Sequence, residues 1–121
     1  MSVFDSSALL AFLQGERGAD VVETALQAGG LCGAANWSEV AQKVLSHGRN
    51  WHLARALLIS FDLHVEPVTA DDAEWAARRW RSGAGLALAD RLCLALGSRA
   101  GGPIWTADTQ WGTGGEVRQI R

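Results

Sequence analysis

Met1-Ser2-Val3-Phe4-Asp5-Ser6-Ser7-Ala8-Leu9-Leu10 opens the chain and sets the pattern that the rest repeats. A short apolar run, read as a buried strand over residues 2–5, stops at an acid. Two hydroxyl residues follow, Ser6 and Ser7, either able to cap a helix. Then comes Ala-Leu-Leu-Ala-Phe-Leu (8–13), a short helix apolar on all sides. A strand that ends in an acid and passes straight into a helix is the join found on one edge of a parallel α/β sheet. Strand C-termini and helix N-termini meet there, and ligands bind there.

Related joins recur along the chain. Leu31 to Ala35 reads as a second strand, followed by Asn36-Trp37-Ser38-Glu39-Val40. Asn36 stands where it can cap the next helix, and Glu39 lies in its first turn at capping-box spacing, with Val40, Ala41, Val44 and Leu45 as the apolar stripe. Asp90 opens another helix, read over Leu88 to Leu96 with Ala89, Leu92, Cys93 and Leu96 on one face. Asp108 follows a strand over Pro103 to Thr106. Between these joins lie a helix from Asp20 to Ala28, ended by Gly29 and Gly30, and a helix from Trp51 to Phe61 with Leu53, Leu57 and Leu58 predicted to face inward. Leu-His-Val-Glu is a strand ended by Pro67. Thr69 caps a helix with Asp71 and Asp72 in its first turn and Arg78, Arg79 and Arg81 at its end, an order that suits the helix dipole. Ser82 to Gly85 is a loop, and Glu116 to Ile120 is a last strand. Strands alternate with helices, so the sheet is predicted to be parallel, within one domain spanning residues 1–121.

In such a sheet Asp5, Glu39, Asp90 and Asp108 converge. Two unit charges about 4 Å apart repel by roughly 4 kcal/mol at an effective dielectric near 20. A cluster of four therefore calls for protons or cations, and hard divalent cations with oxygen ligands answer that need. Each acid also has a plainer role open to it. Asp5 can be a helix N-cap, Glu39 a capping-box partner of Asn36, Asp90 a dipole-complementing acid and Asp108 a turn residue. Ser7 can equally be a helix-start hydroxyl.

A net charge of −2 and a pI near 5.8 are not the profile of a basic nucleic-acid binder. Setting the four candidate acids aside leaves nine acidic residues against eleven basic ones, a mildly positive remainder. Ten of those basic residues are Arg; Lys43 is the single Lys. Cys32 and Cys93 sit in apolar runs as small buried hydrophobes, and neither they nor His47, His52 and His64 have zinc-site spacing. With Asp5 so near the N-terminus and no apolar run approaching about 18 residues, a reduced cytoplasmic protein with no membrane span is expected. The acidic pattern is not the D-x-D of a HAD phosphatase, Lys43 is not the late lysine of a receiver domain, and there is no G-x-x-x-x-G-K-[ST] loop. Most of the six tryptophans read as packing; Trp37 and Trp111, beside the acids, are candidates for base stacking. Arg78, Arg79, Arg81 and Arg91 are candidates for phosphate contacts.

The strings V-F-D-S-S-A-L-L (3–10), N-W-S-E-V (36–40), L-A-L-A-D-R-L-C-L-A-L (86–96), W-T-A-D-T-Q-W (105–111) and the closing V-R-Q-I-R (117–121) together resemble PIN-domain ribonucleases, most closely the VapC toxins of toxin–antitoxin pairs. The resemblance covers nearly the whole chain and implies a five-stranded parallel sheet in the order 3-2-1-4-5 flanked by helices. It implies one or two Mg²⁺ or Mn²⁺ ions held by Asp5, Asp90 and Asp108 with Glu39 beside them, and support from Ser7, Asn36 and Thr106. The activity it implies is hydrolysis of RNA phosphodiester bonds in tRNA or rRNA, which inhibits translation and arrests growth. The implied partners are a second copy of the chain and a VapB-type antitoxin. An antitoxin Arg is expected at the acids, reached through an apolar groove walled by Val22, Leu26 and Leu57. Two other readings stay open at this point: a PIN domain serving as a non-catalytic RNA- or protein-binding module, and a nuclease with a non-toxin role in RNA processing.

Overall fold

The structure is a computed structural model that describes residues 1–83 and 85–121. The loop expected over Ser82 to Gly85 includes Ala84, which lies outside the described residues. Five strands form one sheet in the order β3-β2-β1-β4-β5, with every pairing parallel. They are β1 (Val3–Phe4), β2 (Gly30–Gly33), β3 (Leu63–Glu66), β4 (Ile104–Thr106) and β5 (Val117–Gln119). The helices are α1 (Ser6–Gln14), α2 (Ala19–Leu26), α3 (Ala34–Ser46), α4 (Trp51–Ser60), α5 (Ala70–Arg78) and α6 (Leu88–Ala100). A single 3₁₀ turn, Thr109–Trp111, follows β4.

The central strand β1 is only two residues long, and both are fully buried. Successive side chains on a strand point to opposite faces, so Val3 and Phe4 enter different cores. Phe4 packs with Ala8, Leu9, Val22, Leu26, Cys32, Val40 and Leu58, the layer built by α1 to α4. Val3 packs with Cys93, Leu96, Ile104, Trp111 and Val117, the layer under α6. Burying both faces of the strand is what a parallel sheet covered by helices requires. On the second layer, Arg99 forks onto buried Asp72, with Nε 2.9 Å from Oδ1 and Nη2 3.2 Å from Oδ2, and so clamps α6 to α5. Asp72 and Thr69 also form the capping box at the start of α5.

Three expectations need correction. The second strand ends at Gly33 rather than Ala35, because α3 begins at Ala34. Asn36 is therefore not the cap: Gly33 holds that position without a side-chain bond, Asn36 is buried inside the first turn, and Glu39 falls in the second turn. In α4 Leu58 is buried and Trp51 packs against the core, while Leu53 and Leu57 are 67% and 46% exposed. Those two leucines, with Leu13 and Val44, line a cavity of about 470 Å³ at the surface instead.

The approach of β2 to β1 leaves no room for a side chain at Gly30. A Cβ there would lie 2.8 Å from the Ser2 carbonyl oxygen and 2.7 Å from Phe4 Cε2. Overpacking of this kind costs about 1–3 kcal/mol. Gly30→Ala is expected to lower the urea midpoint accordingly, and an unchanged midpoint would show that the two strands are not held at this distance.

Candidate metal centre

Asp5 follows β1 directly and caps α1: its Oδ1 accepts the Ala8 amide at 2.8 Å. Its backbone N–H extends the ladder to Trp105 of β4 at 3.1 Å. The side chain is 3% exposed, so its charge depends on what surrounds it. Thr106 Oγ1 donates to Oδ2 at 2.6 Å, and Ser7 Oγ donates to the same carboxylate at 2.8–2.9 Å. Each hydroxyl has one proton, so both are committed to Asp5. Their lone pairs then accept from the chain beyond β4: Ala107 N donates to Ser7 Oγ at 2.8 Å and Asp108 N to Thr106 Oγ1 at 3.0 Å. Asp5 is thereby wired, through two hydroxyls, to the backbone that carries Asp108.

Asp108 caps the 3₁₀ turn, its Oδ1 accepting from Gln110 N at 2.9 Å. Gln119 of β5 holds the same turn by donating to the carbonyls of Asp108 and Gly112, both at 2.9 Å. Glu39 projects from α3 and accepts from Ser6 Oγ at 2.9 Å and Asn36 Nδ2 at 3.3 Å. Asn36 Nδ2 also reaches the Ala89 carbonyl at 3.3 Å, joining α3 to the start of α6. Asp90, in the first turn of α6, accepts the Ala87 amide at 3.1 Å through Oδ2.

The electrostatics place all four acids in one field. Burial pushes the Asp5 carboxyl up to about 6, with Asp90 adding repulsion, against the opposing pull of the Thr106, Ala8 and Ser7 donors. Burial also raises Asp90 above the usual carboxylate range, and Glu39 and Asp108 push it the same way despite the Ala87 amide. Cys32 and Cys93, beneath this edge, are held as neutral thiols by burial and by the same acids. Among the described residues, none of the four acids is paired with an Arg, Lys or His.

The donor set is all oxygen, unneutralised and mutually repelling, which is the chemistry a hard divalent cation fits. Asn36 adds a buried amide oxygen with no hydrogen-bond partner. As they stand, no three His, Cys, Asp or Glu side chains among the described residues form a ready-made ligand cluster.

Of the expected site residues, hydrogen bonds join Asp5 to Ser7 and Thr106 and, through Thr106, to the Asp108 amide, and join Glu39 to Asn36, while Asp90 bonds to the Ala87 amide; two candidate RNA contacts are turned elsewhere. Arg91 is buried and donates to the Ala76 carbonyl of α5 at 2.8 Å. Trp111 is buried in the second core with Val3 and Cys93. Trp37 stays half-buried, edge-on to Trp51 with ring centroids 5.2 Å apart. Val22 and Leu26 are fully buried and wall no groove; Leu57 does line one. Sequence reasoning passed over Ser6 as a partner of Glu39 and Gln119 as a clamp on the Asp108 turn. Both were visible only as polar residues inside otherwise matching strings.

The family model described as "PIN domain" matches residues 2–113. A comparison with curated proteins gives no match. Among solved structures, the chain is similar to one in a toxin–antitoxin complex from Klebsiella pneumoniae, at 20% identity and TM-score 0.80, covering 100% of this chain and 98% of that one. It is also similar to VapC20 of Mycobacterium tuberculosis, a Sarcin-Ricin loop cleaving toxin, at 19% identity and TM-score 0.74 over 97% of each chain.

A buried acid with a raised pKa has a stability signature. Folded Asp5 holds its proton up to about pH 6, against an ordinary value of 3.8. Folding thus takes up a proton between these values, and the cost of the buried charge grows as pH rises through that window. Asp5→Asn keeps an acceptor for Ala8 N and carries no charge. In EDTA, its stability relative to the parent is expected to increase from about pH 4 to pH 7, by at most on the order of 3 kcal/mol. Urea unfolding of both proteins checks this; a variant that loses ground as pH rises contradicts the burial argument.

Proposed function

The chain belongs to the PIN domain family, and on that footing we propose that it is a metal-dependent endoribonuclease toxin of the VapC type. The observation that carries the reading is that Asp5, Glu39, Asp90 and Asp108 share a field and are paired with no Arg, Lys or His among the described residues, two of them with raised proton affinity. The structural likeness to a chain of a toxin–antitoxin complex and to a Sarcin-Ricin loop cleaving toxin supports it. Asp5, Asp90 and Asp108 would hold Mg²⁺ or Mn²⁺, as one or two ions, with Glu39 beside them. Such an ion, when bound, supplies an activated water and offsets charge on the phosphate oxygens.

The protein's own groups do the positioning. Ser7 and Thr106 fix the Asp5 carboxylate in one orientation, and Ser6 and Asn36 fix Glu39. The Ala87 amide donates to Asp90 Oδ2 at 3.1 Å and so sets the direction in which this carboxylate would face a metal ion. No His is needed as a base. Because water is the nucleophile, the 2′-hydroxyl takes no part, and the products carry 5′-phosphate and 3′-hydroxyl ends. Trp37, half-buried against Trp51, is the remaining tryptophan of the two read as base-stacking platforms.

The substrate class we propose is tRNA or rRNA, and the partners a second copy of the chain and a VapB-type antitoxin. The cavity walled by Leu13, Val44, Leu53 and Leu57 offers that antitoxin an apolar seat, and the acids offer a counter-charge for an Arg at its tail. Among the described residues, no helix is long and apolar enough to cross a membrane. A cytoplasmic location is part of the proposal.

Purified protein should cut RNA with Mg²⁺ or Mn²⁺ and stop in EDTA. Asp90→Asn should lower cleavage by more than the roughly 10–100-fold that loss of a metal ligand's supporting partner costs, with the fold intact by circular dichroism. Full activity in EDTA after removal of contaminating nucleases, or a folded Asp90→Asn that still cuts, would sink the assignment.

A further inference from the structure

A second cavity, of about 360 Å³, adjoins the acidic edge and is lined by Ser6, Leu10, Glu39, Gln42, Lys43 and Ser46. Its α3 members fall at positions i, i+3, i+4 and i+7, so they form one stripe along the helix, and α1 supplies the opposite wall. Glu39 is where the stripe meets the proposed metal centre. Lys43, the only lysine of the chain, stands one turn further out.

Glu followed by Lys at i, i+4 is the arrangement that ordinarily pairs across one helical turn. Here it does not. Ser6 and Asn36 hold Glu39 Oε1 at 2.9 and 3.3 Å. Lys43 has no acidic partner among the described residues. The remaining polar lining, Ser6, Gln42 and Ser46, is neutral. Lys43 is exposed in the last turn of α3, and an unpaired ammonium in a polar cavity beside a cluster of acids is a good arrangement for an anion. An acidic cluster repels the backbone of any RNA brought to it, and a cation placed just outside offsets that repulsion. Four helical residues separate Lys43 from Glu39, a rise of about 6 Å, which matches the reach from one phosphate to its neighbour along an extended strand.

We propose that Lys43, with Gln42, forms a phosphate subsite that holds the RNA backbone one nucleotide away from the bond cut at the acids; Ser46 lines the cavity but spends its proton on the Lys43 carbonyl at 3.0 Å. The proposal rests on the nuclease reading above and names how that site takes its substrate. Lys43 is a positioning residue. It binds the ground state and the transition state alike, so its loss should raise KM more than it lowers kcat.

The test is kinetic, on a single-stranded RNA that the parent protein cuts, with Lys43→Met and Lys43→Arg made in the full chain. Lys43→Met is expected to raise KM several-fold, with the salt dependence of log KM made shallower by about 0.7, the contribution of one phosphate contact on a single strand. Lys43→Arg should restore most of both. A methylphosphonate placed in turn at each phosphate flanking the cleaved bond should, at one position, weaken the parent to the level of Lys43→Met and leave that variant unaffected. If the parent cuts RNA but Lys43→Met keeps the parental KM and salt slope, Lys43 is a solvated surface charge and the subsite is wrong, while the nuclease reading stands. If the parent neither binds nor cuts RNA with Mg²⁺ or Mn²⁺, the nuclease reading itself falls and takes the subsite with it.

Discussion

Asp5 is a carboxylate at the end of the central strand, removed from water, and held by two hydroxyls and one backbone amide. Much of the candidate site depends on that bond set. Ser7 and Thr106 spend their protons on Asp5 and their lone pairs on the amides of Ala107 and Asp108. The turn after β4 is therefore fixed relative to the start of α1, although the two are about a hundred residues apart in the chain. A hydrogen bond to a charged group contributes about 1.5–3 kcal/mol, more than a neutral one. These donors still do not cancel the cost of burial, as the raised Asp5 pKa records. The protein keeps a destabilising charge at its centre, and the fold around it supplies the surplus from two apolar layers.

The same constraint organises the other acids. Glu39 is turned by Ser6 and Asn36 toward the edge rather than toward Lys43, and Asp90 is oriented by the Ala87 amide at the start of α6. Four stretches of chain thus present carboxylates whose mutual repulsion no Arg, Lys or His among the described residues relieves. An arrangement of this kind is maintained against stability, which is the usual mark of a functional site rather than a structural one. The capping roles of Asp5 and Asp108 are real, and they are compatible with the proposed one. The cap fixes the carboxylate's position, and that position is what the proposed chemistry would use.

Much of this was legible in the sequence because the acids interrupt apolar runs, and a polar residue at the end of a buried strand has few reasons to be there. The strand order came from a resemblance rather than from periodicity, which cannot rank strands within a sheet. Where the reading failed, the physical reason is local. Asn36 has the chemistry of a cap, but Gly33 can enter the helix without one, so α3 starts earlier and Asn36 is free to bridge Glu39 and Ala89. Leu53 and Leu57 have the spacing of core residues, but hydrophobic spacing does not distinguish a core from a groove. Arg91 and Trp111 sit beside acids in the sequence, while their side chains leave in the opposite direction and are buried against α5 and the second core. Adjacency along a helix or turn says little about which face a side chain takes.

The central claim is that Asp5, Glu39, Asp90 and Asp108 act as one cation site built from four separate stretches of chain. Amide NMR spectra recorded while substoichiometric Mn²⁺ is added test it directly, since the paramagnetic ion broadens only what lies near it. The account predicts concerted loss of the signals from residues 5–8, 36–39, 89–91 and 106–110, reversed by EDTA, with α4 and the end of α5 unaffected. Broadening confined to one of these stretches, or centred on the surface histidines of α4 and β3, would contradict it.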